Sequence, residues 1–300
     1  MRLRSVPDGY ALIGIDHYYR RMVTFPLPLP APAALALCAR VAALCEAAGD
    51  AILAIYQGEV VAQWKGDGTP LTAADQASHE LLVGGLPLLP GHYPVVSEES
   101  SELDQAAVDR GPEAPPYWLV DPLDGTKEFL SRNGEFTVNV ALIWRGQPVL
   151  GVVHVPASGD TYAGVVGFGA TWVGAPQAGA ARAARALGVR PVPAAGLTVV
   201  GSRSHGDAAA LEAFLGGRRV AALSSAGSSL KFCLVARGEA DLYPRLGRTM
   251  IWDTAAGQAV LTAAGGGVYR LDGTPLGCSN AALDNPHFVA VGAPGAWSAA

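Results

Sequence analysis

Cationic side chains are in the minority in this 300-residue chain: 21 Lys and Arg against 26 Asp and Glu give a formal charge of −5. Without a basic surplus there is no field to grip a phosphate backbone, so nucleic acid is excluded as the main partner. Cysteine is scarce too. The four, Cys38, Cys45, Cys233 and Cys278, form no C-x-x-C pair and read as reduced core residues of a cytosolic protein. No apolar run approaches the roughly 18 to 20 residues that a membrane span requires. Arg20-Arg21 follow rather than precede the mildly apolar residues 11–15, the wrong order for a signal peptide. Apolar residues, in contrast, make up half of the chain. That is ample for one large core or two modest ones, and it excludes disorder of the whole chain.

Residues 1–30 have no clear period and end in Phe25-Pro26-Leu27-Pro28-Leu29-Pro30, an extended proline-rich lead expected to be peripheral. From residue 31 to about 57, Leu37, Val41, Leu44, Ile52 and Ile55 recur at helical steps, which predicts one long amphipathic helix. A turn cluster at residues 66–70 leads to Thr72 and Asp75, a capping-box pattern for a helix over residues 73–83. Residues 100–116 are polar and read as a surface loop or short helix. Residues 117–120 predict a strand, and residues 136–143 and 149–155 an antiparallel hairpin around Arg145-Gly146-Gln147, with a third strand at 161–165. The Gly- and Ala-rich stretch 167–193 is the candidate domain join. Beyond it strands (197–200, 240–243, 268–269, 288–291) alternate with helices (207–215, 228–236, 253–264), which predicts an α/β second half.

The chemistry concentrates where apolar runs end in acid. Trp118-Leu119-Val120 runs into Asp121-Pro122-Leu123-Asp124-Gly125-Thr126, Ser97-Glu98-Glu99 follows another apolar run, and Asp253 opens a late helix. An isolated Asp-Pro or Asp-Gly is more often a turn that binds its own backbone, and Asp253 alone reads as an N-cap. Together they suggest one oxygen-rich cation site. No histidine or cysteine stands among Glu98, Asp121, Asp124 and Asp253, so Mg²⁺ fits better than Zn²⁺, although a structural Ca²⁺ site would use the same ligands. The density of carboxylates suggests two or more ions with a phosphate ester as substrate. Thr126 is placed to take a proton from water if a carboxylate stands behind it, and Asp75 is the candidate by type.

Ser97-Glu98-Glu99, Asp121-Pro122-Leu123-Asp124-Gly125-Thr126 and Trp252-Asp253-Thr254-Ala255-Ala256-Gly257 resemble, in order and separation, the signatures of the inositol monophosphatase superfamily of Mg²⁺-dependent, lithium-sensitive phosphatases. Lys127-Glu128-Phe129, the run from Arg132 to Asn139, Gly201-Ser202-Arg203-Ser204-His205 and Gly227-Ser228-Ser229-Leu230-Lys231-Phe232-Cys233 resemble its bacterial CysQ-type branch of 3′(2′),5′-bisphosphate nucleotidases. The resemblance implies a layered α/β/α/β/α sugar-phosphatase sandwich, with subdomains at 31–185 and 186–300 and the site between them. It assigns Glu98, Asp121, the Leu123 carbonyl, Asp124 and Asp253 to two or three Mg²⁺ ions, and pairs Thr126 with Asp75. Glu98 then counts among the catalytic groups with those two. Gly125 and Thr126 would meet the scissile phosphate, and Ser228, Lys231 and Arg245 the second phosphate of a bisphosphate nucleotide; on the bland reading Lys231 is a helix-surface lysine and Arg245 a solvated loop cation. The implied substrate is adenosine 3′,5′-bisphosphate or its 5′-sulfated analogue. The implied enzyme is cytoplasmic, either free or peripheral at the inner membrane, and monomeric or homodimeric. An inositol or sugar monophosphatase, and a non-catalytic metal or nucleotide binder, remain the alternatives.

Overall fold

The long helix α1 (Ala31–Tyr56) buries Leu37, Cys38, Val41, Cys45, Ala48 and Ile52, the three- and four-residue steps of a single helical stripe. The structure is a computed structural model that describes residues 29–58, 62–64, 66, 70–101, 111, 113–175, 182–202, 208–278 and 283–299. The lead before Leu29, most of the polar loop at 100–116 and the loop carrying His205 lie outside those residues. At 26 residues and a mean hydropathy of 1.5, α1 is by length and composition apolar enough to cross a membrane. This corrects the expectation that no such run exists. Arg40, Glu46 and Asp50 interrupt it in sequence, but alanine keeps the mean high. In this fold its buried stripe packs against a sheet.

A short pair, β1 (Ala62–Trp64) with β2 (Pro70–Thr72), leads into α2 (Ala73–Gly85). The expected capping box is present. The Thr72 hydroxyl accepts from Ala74 N, while Asp75 accepts from Thr72 N at 2.7 Å. There follow β3 (Val95–Ser97), β4 (Tyr117–Asp124), the five-residue helix α3 (Thr126–Leu130), β5 (Thr137–Trp144), β6 (Gln147–Val155), β7 (Asp160–Val165), β8 (Gly169–Val173) and β9 (Ala184–Ala186). In chain order these strands make one seven-stranded sheet. β5 and β6 form the expected hairpin. Arg145 and Gly146 both take positive φ, as a two-residue turn between twisted strands requires.

The second sheet has the order β11-β10-β12-β14-β13. It contains β10 (Leu197–Ser202), β11 (Val220–Ala226), β12 (Leu242–Arg245), β13 (Gly267–Arg270) and β14 (Phe288–Val291), joined by α4 (Ala208–Leu215), α5 (Leu230–Ala236) and α6 (Ile251–Ala263). Strand alternation builds the layers. Trp118 and Val120 of β4 face α1 and α2, while Tyr117 and Leu119 face α5 and α6. On β14, Phe288 and Ala290 join that middle layer, and Val289 and Val291 pack on the outer side with Leu211, Phe214 and Leu215 of α4. The result is the expected order of helix, sheet, helix, sheet, helix.

One expectation is corrected here, and two strands are found that the sequence did not announce. The strand predicted to end at Val120 runs on to Asp124. The stretch 167–193 contains β8 and β9, which extend the first sheet, so the chain changes sheets between Ala186 and Leu197. β8 reads Gly-Ala-Thr-Trp-Val and is partly exposed, and β9 reads Ala-Arg-Ala and is exposed throughout, so the two short strands carry little of the apolar alternation that marks a strand.

Candidate active site

A β-bulge sets the centre of the site. β4 pairs with β5 through Asp121↔Asn139 and Asp124↔Thr137, so two β4 residues oppose one on β5. In a regular strand, residues three apart point to opposite faces. The extra residue re-aims the strand, and Asp121 and Asp124 line the same cleft. Pro122 fits at the irregularity because it has no N–H to offer the ladder. The bulge is fastened from α2, where Ser78 Oγ donates to the Pro122 carbonyl at 2.7 Å.

Neighbouring elements bring the other carboxylates to this point. β3 runs parallel to β4 with Ser97 opposite Val120, and the Glu98 N–H continues the ladder to the Val120 carbonyl. Glu98 thus arrives beside Asp121. Asp253 is the third residue of α6 and accepts from Met250 N at 2.9 Å, which leaves its second oxygen for a ligand. It is therefore not the N-cap itself, a position held by Met250. Carboxylate oxygens of Glu98, Asp121 and Asp253 lie within 4.8 Å of one another. Burial first, then mutual repulsion among Glu98, Asp121, Asp124 and Asp253, holds Asp121 and Asp253 well above the usual carboxylate range. Asp124 is raised by burial and partly relieved by Lys231 and the Ser229 hydrogen bond. Hard oxygen donors crowded in this way fit a divalent cation, and among the described residues no histidine or thiolate stands with them.

Gly125 follows at φ 87, and a Cβ there would collide with Ser228 Oγ. Thr126 then turns its hydroxyl to Asp75 Oδ1 at 3.3 Å, while Asp75 Oδ2 is held by the Thr72 hydroxyl at 2.6 Å. The pair suggested by residue type alone does meet.

The cleft, about 740 Å³, is also lined by Lys127, Glu128, Ser228, Lys231, Arg245 and Arg248. Lys231 is not a helix-surface lysine, since it is 4% exposed. Its Nζ donates to the carbonyls of Ser228 (2.5 Å) and Ala226 (3.2 Å) and lies over the Tyr243 ring. Burial brings its pKa down to about 8 against the pull of Asp124. Arg245 is likewise no solvated loop cation. It sits in β12 at 8% exposure, with Nη2 on the Arg248 carbonyl at 2.6 Å and Nε without a partner among the described residues. Ser228 adopts φ 48, and its hydroxyl meets the carbonyls of Asp124 (2.8 Å) and Glu135 (2.7 Å).

Sequence reasoning gave no role to Ser229 and Asn139, which touch Asp124 at 3.1 and 3.4 Å. Asn139 could have been singled out as an amide inside the otherwise apolar, fully buried run Val138 to Ile143. Ser229 follows the flagged Ser228 and had no such contrast.

The sequence profile of the inositol monophosphatase family matches residues 36–295. The curated 3′(2′),5′-bisphosphate nucleotidase CysQ of Escherichia coli (strain K12) is 46% identical over 241 residues, covering 79% of this chain and 92% of the relative. That of Buchnera aphidicola is 38% identical over 242 residues, covering 80% and 86%. Among solved structures, CysQ from Bacteroides thetaiotaomicron superposes with a TM-score of 0.72 at 38% identity, over 86% of this chain and 97% of that one. The inositol monophosphatase from Anabaena shares the fold, with a TM-score of 0.64 at 22% identity over 86% and 90%.

Proposed function

The chain belongs to the inositol monophosphatase family, and from that premise we propose that it is a Mg²⁺-dependent 3′(2′),5′-bisphosphate nucleotidase. It hydrolyses adenosine 3′,5′-bisphosphate, a by-product of sulfate activation and sulfotransfer, to AMP and phosphate. One observation carries this reading: a cleft that gathers Glu98, Asp121 and Asp253 within 4.8 Å also buries two cations, Lys231 and Arg245. A monophosphate needs only the acidic part of such a site. A second phosphate gives the cations a partner.

In the proposed mechanism Glu98, Asp121, Asp124, Asp253 and the Leu123 carbonyl would hold two or three Mg²⁺ ions. Ions held there would supply a lowered pKa for a bound water and positive charge facing the phosphate and the leaving oxygen. Thr126 Oγ1, backed by Asp75, orients the attacking water and passes its proton to the carboxylate. The water oxygen bonds to phosphorus as the ester P–O bond breaks, the 3′-oxygen takes up a proton from solvent water, and Asp75 returns to solvent the proton it received. Backbone N–H groups of Gly125 and Thr126 hold the scissile phosphate. Lys231 and Arg245 hold the other phosphate, and Ser228 shapes their loop. The enzyme is lithium-sensitive and cytoplasmic, with subdomains at 31–185 and 186–300 and α6 between their sheets.

The test is phosphate release from adenosine 3′,5′-bisphosphate beside inositol 1-phosphate, with Mg²⁺ and with or without Li⁺. Nucleotide preference with lithium inhibition is expected. Preference for the inositol ester would refute the nucleotide assignment, and release from neither would refute the enzyme. Asp121→Asn should lower turnover by more than the roughly 10- to 100-fold typical of losing a residue that only supports a metal ligand.

A further inference from the structure

Four elements meet at a single hydroxyl, that of Ser229. The residue is 1% exposed, just before α5. Its Oγ lies 2.6 Å from the Asp253 carbonyl oxygen at the start of α6, 3.1 Å from Asp124 Oδ2 at the end of β4 and 2.9 Å from Asn139 Nδ2 on β5. Asn139 Nδ2 also approaches Asp124 Oδ2 at 3.4 Å. We infer that Ser229 is a positioning residue that holds Asp124 and Asp253 in register across the cleft, and so sets the affinity of the acidic cluster for its divalent cation.

A serine hydroxyl has one proton and two lone pairs. Asn139 donates into a lone pair, and the proton must serve either the Asp253 carbonyl or Asp124 Oδ2. A fully charged Asp124 competes for that proton, because hydrogen bonds to ionised acceptors are the stronger ones. A cation that takes up the charge of Asp124 leaves the proton to the Asp253 carbonyl, which ties α6 to the loop before α5. The contact also fixes which Asp124 oxygen remains for a ligand, since Oδ2 is engaged by Ser229 and Asn139.

The loop is held from its other side as well. Gly227 N donates to Glu135 Oε2 at 2.8 Å, and the Ser228 hydroxyl meets the Asp124 and Glu135 carbonyls. Lys231 donates back to the Ser228 carbonyl. Ser229 therefore lies at the join between the acidic cluster and the buried lysine, where a displaced loop would move both.

The inference rests on the proposed function only for its metal, so it is tested without substrate. Full-length wild type, Ser229→Ala and Ser229→Cys are titrated with Mg²⁺ by calorimetry and by the metal-induced rise in Tm. Cysteine fills the site with a weak hydrogen-bonding group should the alanine variant not fold. The expected result is an Mg²⁺ dissociation constant about tenfold higher in both variants, the range found when a group that orients a metal ligand is lost. Phosphate release from adenosine 3′,5′-bisphosphate should need correspondingly more Mg²⁺, with kcat near that of wild type at saturation. An unchanged dissociation constant, with the loss confined to the metal-free Tm, would mean that Ser229 is only a packing residue and would overturn the inference. Absence of Mg²⁺ binding by the wild type would overturn it too. A wild type that binds Mg²⁺ but releases no phosphate from the nucleotide would refute the proposed substrate and leave the Ser229 result to be judged on binding alone.

Discussion

On the proposed function, the buried charge of Lys231 links stability to substrate choice. Burial lowers its folded-state pKa to about 8, below the roughly 10.4 of an exposed lysine. Between those values the unfolded chain binds more protons, so the contribution of this residue to stability rises with pH across that window. Below about 8 the cost of the buried ammonium is present in full, and it is offset when an anion arrives. For activity the sign reverses: kcat/KM on adenosine 3′,5′-bisphosphate should fall as pH rises through about 8. Lys231→Met should abolish that limb and raise KM for the bisphosphate by roughly 10- to 100-fold, the worth of a charged hydrogen bond. Steady-state kinetics on the bisphosphate and on 3′-AMP checks this. An equal loss on both would remove Lys231 from the second phosphate. Gly125 is a steric counterpart. Its φ of 87 and the Ser228 oxygen at the site of a Cβ predict that Gly125→Ala strains the turn by about 1–3 kcal/mol. It should also lower phosphate release, measured alongside the Tm.

At the scale of elements, α6 carries Asp253 and must lie flush on the first sheet for that carboxylate to meet Asp121. Missing side chains allow the approach. A Cβ on Gly151 of β6 would collide with the Ala256 carbonyl and one on Gly164 of β7 would come within 2.9 Å of Val260 Cα, while on the side of α6 that meets α5 a Cβ on Gly257 would come within 2.6 Å of the Phe232 ring. Gly257→Ala should therefore destabilise by about 1–3 kcal/mol through overpacking and shift Asp253. Thermal unfolding with and without Mg²⁺ would show a lower Tm and a smaller metal-induced rise, and a variant matching the wild type on both would disprove the tight seat. These elements were unequally legible in the sequence. α1, α2 and the β5–β6 hairpin announced themselves through period, capping box and turn, because each rests on contacts close in sequence. β11 did not, since its residues 221–225 are exposed and show no apolar alternation. The acidic motifs pointed to a cation site, but a bulge that turns Asp121 and Asp124 the same way depends on β5 as partner. Ser229 depends on three residues 24 to 105 positions away, a distance that no local pattern encodes.

For the whole molecule, two sheets share a middle helical layer, and the acidic cluster lies where the first sheet and α6 come together. Without a cation this junction contains repelling carboxylates. Asp121 and Asp253 have raised folded-state pKa values, from burial first and neighbouring carboxylates second. The folded chain then binds more protons than the unfolded one above the ordinary carboxylate pKa of about 4, and the cluster's contribution to stability falls as pH rises. His79 and His154, whose values are lowered by burial, act in the opposite sense up to about pH 6.5. Comparison at a single pH would mix these effects. The difference between Mg²⁺-saturated and chelator-treated protein removes the histidine part, which is common to both. That difference should widen from about pH 5 to about pH 8, because protons and cation compete for the same oxygens. At about a hundredfold excess over the dissociation constant it should reach about 2.7 kcal/mol, or several degrees of Tm for a chain of this size. Calorimetric scans across the series provide the check. Parallel curves with and without Mg²⁺ would mean that the carboxylates already lie at ease without a cation, and the metal assignment of Asp121 and Asp253 would fall with them.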